Sequence, residues 1–288
     1  MVLALAVATA GYAQVIDGTK DVSYGSAIAV QTINTGFGVA NGAGGAGSEL
    51  DAVYGMIQGG TLYLMLTGDL EGNYNHLDLF FDTGAAGQNV ITGGTSLTNP
   101  FTGMTLSAGF NASQFMTLNG GLEGGDNHVY LDQSTYNGSV WGDTYLGSQA
   151  FTGAGSLAGG TNTFGVQVGL NDGNVGVQTG AGGTAISNPG ALLAVNTGME
   201  FGIPLAALGN PSGAIKIIAE VNGGGDNYLS NQFFTGLPVG TGNLGSPAGV
   251  NLTQYGNPYF TIAPAPEPVT MVGIALGAAA LLRKRRKA

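Results

Sequence analysis

Apolar and polar residues alternate with period two over several stretches of the chain. In Thr61-Leu62-Tyr63-Leu64-Met65-Leu66-Thr67 the leucines share one face. In His76-Leu77-Asp78-Leu79-Phe80-Phe81-Asp82, Leu77, Leu79 and Phe81 point one way and Asp78 and Asp82 the other. That period marks half-buried strands. Gly68 to Asn75 reads as a hairpin connection between these two. Further strands are predicted at 26–32, 51–58, 104–108, 128–132, 163–170, 174–179, 199–203, 214–221 and 258–262. Pro204 to Leu208, closed by Gly209, is the one clear helical turn. Many short strands with Gly-rich turns and almost no helix predict an all-β fold, an antiparallel, jelly-roll-like β-sandwich over 14–262. No fixed repeat marks a solenoid. The tetrapeptide GGDN occurs twice, at 124–127 and 224–227, and reads as two similar loops.

The two ends depart from this pattern. Residues 1–10 are apolar and small, and Gly11 and Ala13 fit a signal-peptidase site, so 1–13 reads as a signal peptide. No Lys or Arg precedes the apolar run, which points to a start further upstream. At the other end, residues 263–288 hold Pro266-Glu267-Pro268, an apolar run from Val269 to Leu282, and the cluster Arg283, Lys284, Arg285, Arg286, Lys287. The prolines favour an extended spacer. As a helix the run spans roughly 21 Å, short of a hydrocarbon core of about 30 Å. The cluster acts as a cytoplasmic stop. This three-part tail resembles a PEP-CTERM sorting signal, the substrate of an exosortase. The resemblance implies export across the inner membrane of a Gram-negative bacterium and transient membrane insertion of the tail. Exosortase-type processing and delivery to the cell surface or extracellular matrix then follow.

Composition sharpens the reading of the body. All five tail basics lie outside it, leaving Lys20 and Lys216 against sixteen acids, a formal −14 where the whole chain carries −10. Such a surface repels nucleic acid and anionic lipid and suits divalent cations and neutral polymers. Cysteine is absent, so stability rests on the core. Gly and Pro together make 64 of 288 residues, about 22%, below the roughly 25–30% that marks disorder.

Short blocks of the body carry a second likeness. They are Val15-Ile16-Asp17-Gly18 with Asp21, Thr61 to Leu66, Leu77 to Asp82, and Met199-Glu200-Phe201-Gly202-Ile203-Pro204 running to Leu208. In this order they resemble family-nine carbohydrate-binding modules and related DOMON-type sandwiches. The likeness implies a sandwich and a glycan ligand. Sugar modules of that family stack their ligand on paired Trp rings, whereas Trp141 is the only Trp here.

Chemistry finds few of its usual groups. There is no Cys, no G-x-S-x-G elbow, and only His76 and His128, so a triad is disfavoured, and so is zinc, which is read as needing three or four N/S ligands. His76 and Asp78 read as a solvated polar face. Asp78 and Asp82 lie roughly 13 Å apart along a strand, too far for a retaining glycosidase pair. The G-x-G-x-x-G at 42–47 lacks the strand and helix of a dinucleotide loop. Structural calcium is the ion expected, on loops carrying Asp82, Asp126 and Asp226. A glycan platform is expected from Trp141, Tyr136 and Tyr145, with Asp132 and Asp143 accepting sugar hydroxyls. The protein is therefore expected to be an exported, non-catalytic sandwich interacting with extracellular polysaccharide. The alternatives are a structural matrix or surface-layer-like subunit and a secreted glycan-acting enzyme.

Overall fold

The computed structural model describes residues 14–38, 47–122, 125–171 and 176–264. The signal-peptide reading, the 42–46 glycines and all of Pro266, Glu267, Pro268 and the basic cluster lie outside them. Among the described residues no helix is long and apolar enough to cross a membrane.

Among the described residues thirteen strands follow one another: β1 (Ala29–Val30), β2 (Glu49–Gln58), β3 (Thr61–Asp69), β4 (Asn73–Asp82), β5 (Gln114–Gly121), β6 (His128–Tyr136), β7 (Trp141–Ala150), β8 (Ala158–Gly159), β9 (Gln167–Leu170), β10 (Gly198–Pro204), β11 (Ile215–Asn222), β12 (Leu229–Phe234) and β13 (Phe260–Ile262). They form two sheets of antiparallel pairs. One has the order β1-β2-β3-β10-β9. The other has the order β12-β11-β4-β5-β6-β7-β8, with β13 on the edge of β11. The fold is an all-β sandwich.

The core lies where the two inner faces meet. Leu62, Leu64 and Leu66 of β3 pack there with Leu77, Leu79 and Phe81 of β4, joined by Ile215, Ile217, Ala219 and Val221 of β11. Each large side chain so buried contributes roughly 1.5–3 kcal/mol. β3 and β4 are not a hairpin, as their spacing predicted. They belong to opposite sheets, and residues 70–72 carry the chain across. The alternation explains this: both leucine faces are satisfied at once only when the two strands oppose each other through the core.

Other boundaries shift. Residues 104–108 hold bridging contacts rather than a strand, 163–170 shortens to β9, and 26–32 to the two residues of β1. Of 174–179, residues 176–179 are not strand and the rest lie outside the described residues. The turn after Pro204 is a 3-10 turn, Leu205–Leu208, with Gly209 left-handed at φ 79°. The one α-helix among the described residues, α1 (Pro189–Ala194), and strands β5, β7 and β12 carry no clean alternation in the sequence.

The outer face of the larger sheet is also covered over half its width. Phe80, Phe115, Ile218 and Phe233 point outward there. They are roofed by Ile91, Phe101, Met104, Leu106, Phe110 and Leu252 from the long connections, forming a second apolar cluster.

Candidate functional site on the outer face of the eight-stranded sheet

Beside that roofed half the outward positions turn polar. Strand register sets them in two rows. One runs Glu220, Asp78, Thr117, Asp132 and Tyr145 across β11, β4, β5, β6 and β7. The next runs Asn222, His76, Asn119, Tyr130 and Ser148 over the same strands. Facing residues in such rows lie about 4.5–5.5 Å apart. Four ionisable groups thus share one surface with two tyrosines.

The inner end of the rows is closed. Asp78, Glu220 and Asn222 are fully buried, and Phe233 of β12 lies beside Glu220. The loop between β11 and β12 folds over it and delivers Asp226, whose left-handed backbone (φ 51°) comes from the second GGDN. His76 Nδ1 lies 2.9 Å from Asp226 Oδ1 and 2.8 Å from Thr117 Oγ1. Asn119 Nδ2 is 3.2 Å from His76 Nε2, and Asn222 Nδ2 donates to Asp78 Oδ2 at 3.2 Å. Asp78 Oδ1 and both Glu220 carboxylate oxygens have no hydrogen-bond partner. Burial pushes the Asp78 carboxyl up, and the Asp226 charge adds to it. Burial and then Asp78 raise Glu220 well above the usual carboxylate range. Burial works to lower His76, but Asp226 and Asp78 outweigh it and hold the imidazole above its ordinary value.

The outer end is open, and the first GGDN supplies its aspartate. Asp126 accepts from Tyr74 Oη at 2.9 Å, Tyr130 Oη at 3.0 Å and the Asn127 N–H at 2.9 Å, with His128 Nδ1 3.0 Å away. These bonds, His128 first, hold Asp126 below the usual carboxylate range. Tyr74, itself left-handed at φ 67°, lays its ring on Gly121, where a Cβ would sit 2.3 Å from the ring. Each of the two histidines therefore pairs with the aspartate of one GGDN loop, and Tyr74 lies between the two loops: its backbone carbonyl is the nearest atom to a Cβ built on Gly224.

No protein-family model matches the chain, and no curated protein or solved structure is found to be similar to it.

The structure divides the five residues of the expected glycan platform. Trp141 is only 3% exposed, packed 5.4 Å from Tyr136 at the edge of the roofed cluster, and its Nε1 donates to Gln88 Oε1 at 2.9 Å. This corrects the exposed ring expected of it: the connection that supplies Gln88 closes over the indole. Asp143 accepts from the Ser96 hydroxyl at 2.9 Å and the Leu97 N–H at 3.2 Å, besides Thr95, and so ties a loop down. Burial works to raise it, but those donors outweigh burial and hold it low. Tyr145 remains 39% exposed opposite Asp132, whose carboxyl burial and the Asp143 charge push up to about 6.

The three aspartates expected to hold calcium do not converge. Asp82 pairs with Lys216 Nζ at 3.1 Å, six residues along β4 from His76, roughly 20 Å away. Asp126 is saturated with donors. Only Asp226 joins other ligand types. His76 and Asp78, read as solvated from the sequence, are enclosed together with Glu220. Polar residues at alternate positions of two strands, each followed by or facing a GGDN, are the signal that marked them.

Further buried acids lie elsewhere. Glu200 accepts from the Asp17 and Gly18 N–H groups at 2.9 and 3.1 Å and from Tyr24 Oη at 2.9 Å, fastening the N-terminal segment over the smaller sheet. Burial pushes it up to about 7. Asp51, in a seam with Glu49, Gln178 and Gln232, is pushed by burial and the Glu49 charge up to about 8.

Proposed function

We propose that the protein is an exported, surface-delivered β-sandwich that binds extracellular polysaccharide, without catalysis, through the open end of this face. One observation carries the reading: Tyr145 stands exposed directly opposite Asp132, with Tyr130 next along the same face of β6. A sugar ring needs an aromatic face to stack on and acceptors for its hydroxyls. Tyr145 and Tyr130 supply the first. Asp132, ionised above about pH 6, supplies the second. The acidic body favours a neutral polymer over an anionic one, and the sorting-signal likeness of the tail supports delivery to the place where such polymers lie.

The burial of Trp141 favours a second reading, a structural matrix subunit that has no glycan platform. Affinity electrophoresis through gels containing neutral polysaccharides separates the two. Retardation of the wild-type protein is expected. Tyr145→Ala should weaken it up to roughly tenfold, the equivalent of a lost stacking pair worth about 0.5–1.5 kcal/mol, with the unfolding midpoint unchanged. Wild-type mobility that no polysaccharide alters leaves the structural reading standing.

A further inference from the structure

His76 and Asp78 project from alternate positions of β4, and Asp226 comes down on them from the turn after β11. One donor atom from each lies within 4.8 Å of the other two. Acidic clusters are ordinarily solvated, but this one is closed. Asp78 and Glu220 are fully buried, and three of their four carboxylate oxygens have no partner. Unpaired carboxylate oxygens in a closed space are among the costliest arrangements in a protein interior. A proton shared between Asp78 and Glu220 relieves part of that cost. A dication offsets the charge directly and also employs the imidazole.

The geometry points to a divalent transition-metal site, of the zinc or manganese class, with His76, Asp78 and Asp226 as ligands and Glu220 as the further carboxylate in the same chamber. The donor set decides the class. Calcium takes six to eight oxygens and no imidazole, whereas imidazole mixed with carboxylates suits zinc and its neighbours. Zinc binds such ligands tetrahedrally at about 2.0–2.2 Å, so donors around one ion lie about 3.4 Å apart. Closing from 4.8 Å needs up to about 1.4 Å. Asp226 can follow such a closure, because it sits on a turn and its side chain is 13% exposed, which also leaves the ion a way in. Supporting partners are in place: Asn222 on Asp78 Oδ2 and Asn119 beside His76 Nε2. With Nδ1 on the metal, Nε2 carries the proton and donates to Asn119 once that amide turns its oxygen inward, the usual orientation of a ligating His.

The test is calorimetric titration of the purified, chelator-stripped protein with Zn2+ at pH 7.5, with Mn2+ and Ca2+ as parallel arms. One ion per chain is expected, Zn2+ or Mn2+ ahead of Ca2+. The unfolding midpoint should rise by roughly 5–10 °C at a hundredfold excess over Kd. Asp226→Asn should weaken binding at least about tenfold. Glu220→Gln, whose amide can donate to Asp78 and so keeps the chamber intact, should weaken it as well. The assignment is overturned by the absence of Zn2+ and Mn2+ binding, by binding undiminished in Asp226→Asn, or by a loss that appears in His128→Gln instead. Ca2+ ahead of both transition metals overturns the metal class. Without binding, the shared proton of Asp78 and Glu220 accounts for the chamber.

Discussion

The chain holds two His–Asp pairs of nearly the same length, His76–Asp226 at 2.9 Å and His128–Asp126 at 3.0 Å, each built from one histidine and one GGDN loop on the same face of the same sheet. Their side chains are 8% and 13% exposed in the first and 52% and 20% in the second. Asp126 is crowded with donors, two tyrosine hydroxyls and a backbone N–H besides the imidazole. The buried pair instead faces two more carboxylates with too few donors among them. Identical residue types at identical distance therefore make a clasp in one place and an unmet demand for positive charge in the other. Burial and the inventory of neighbours, rather than the pair itself, set the chemistry.

The largest expected effect tests that claim directly. His76→Ala removes the only cation-forming group within contact of Asp78 and Asp226 among the described residues and leaves buried carboxylates facing one another. In chelator, it should cost about 3–5 kcal/mol, as breaking a buried pair does, read as a lower urea midpoint at unchanged slope. A small loss would mean that the carboxylates are already neutral and that the imidazole is not what holds them.

The next effect is pH dependence, which sharpens the comparison by separating it from the other buried acids. Asp51 at about 8 and Glu200 at about 7 bind their protons more tightly folded than unfolded. Such groups contribute stability that is full below their unfolded values near pH 4 and is lost as pH rises through the folded ones. The charges facing them work the same way: Glu49 raises Asp51 further, and Asp17 raises Glu200. In chelator, stability should therefore fall between pH 5 and pH 8, by on the order of 2 kcal/mol or more. Calorimetric midpoints across that range check it. The fall should persist in His128→Gln, because the exposed pair lies apart from both acids; a flat profile would mean that the seam and the Glu200 site are wetter than the structure shows.

The sandwich was legible where alternation was clean. Leu62, Leu64, Leu66, Leu77, Leu79 and Phe81 do share one core, as their period required. Strands with both faces covered were not legible. All six residues of β12, Leu229-Ser230-Asn231-Gln232-Phe233-Phe234, are buried, so polar and apolar positions lose their contrast. The site failed for a related reason. Period two says that His76 and Asp78 share a face, and they do. It does not say what covers that face. Here the cover is a loop from 150 residues away for His76, and for Trp141 the connection carrying Gln88. Covers made of irregular chain leave no periodic trace, which is why the two aromatic and ionic residues whose burial matters most were read as exposed.

The smallest effect is the one the comparison depends on. His128→Gln deletes the exposed pair, yet Asp126 keeps its bonds from Tyr74, Tyr130 and the Asn127 N–H. The glutamine occupies the first residue of β6 with its side chain in water, where strand pairing with Ala150 needs only the backbone. Exposed ion pairs contribute little in any case. The urea midpoint should accordingly be indistinguishable from that of the wild type, at low and at high salt. Should it fall as far as in His76→Ala, the two pairs would be energetic equals despite their different burial. The chamber around His76 would then have no special demand for charge, and the case for a cation there would fall with it.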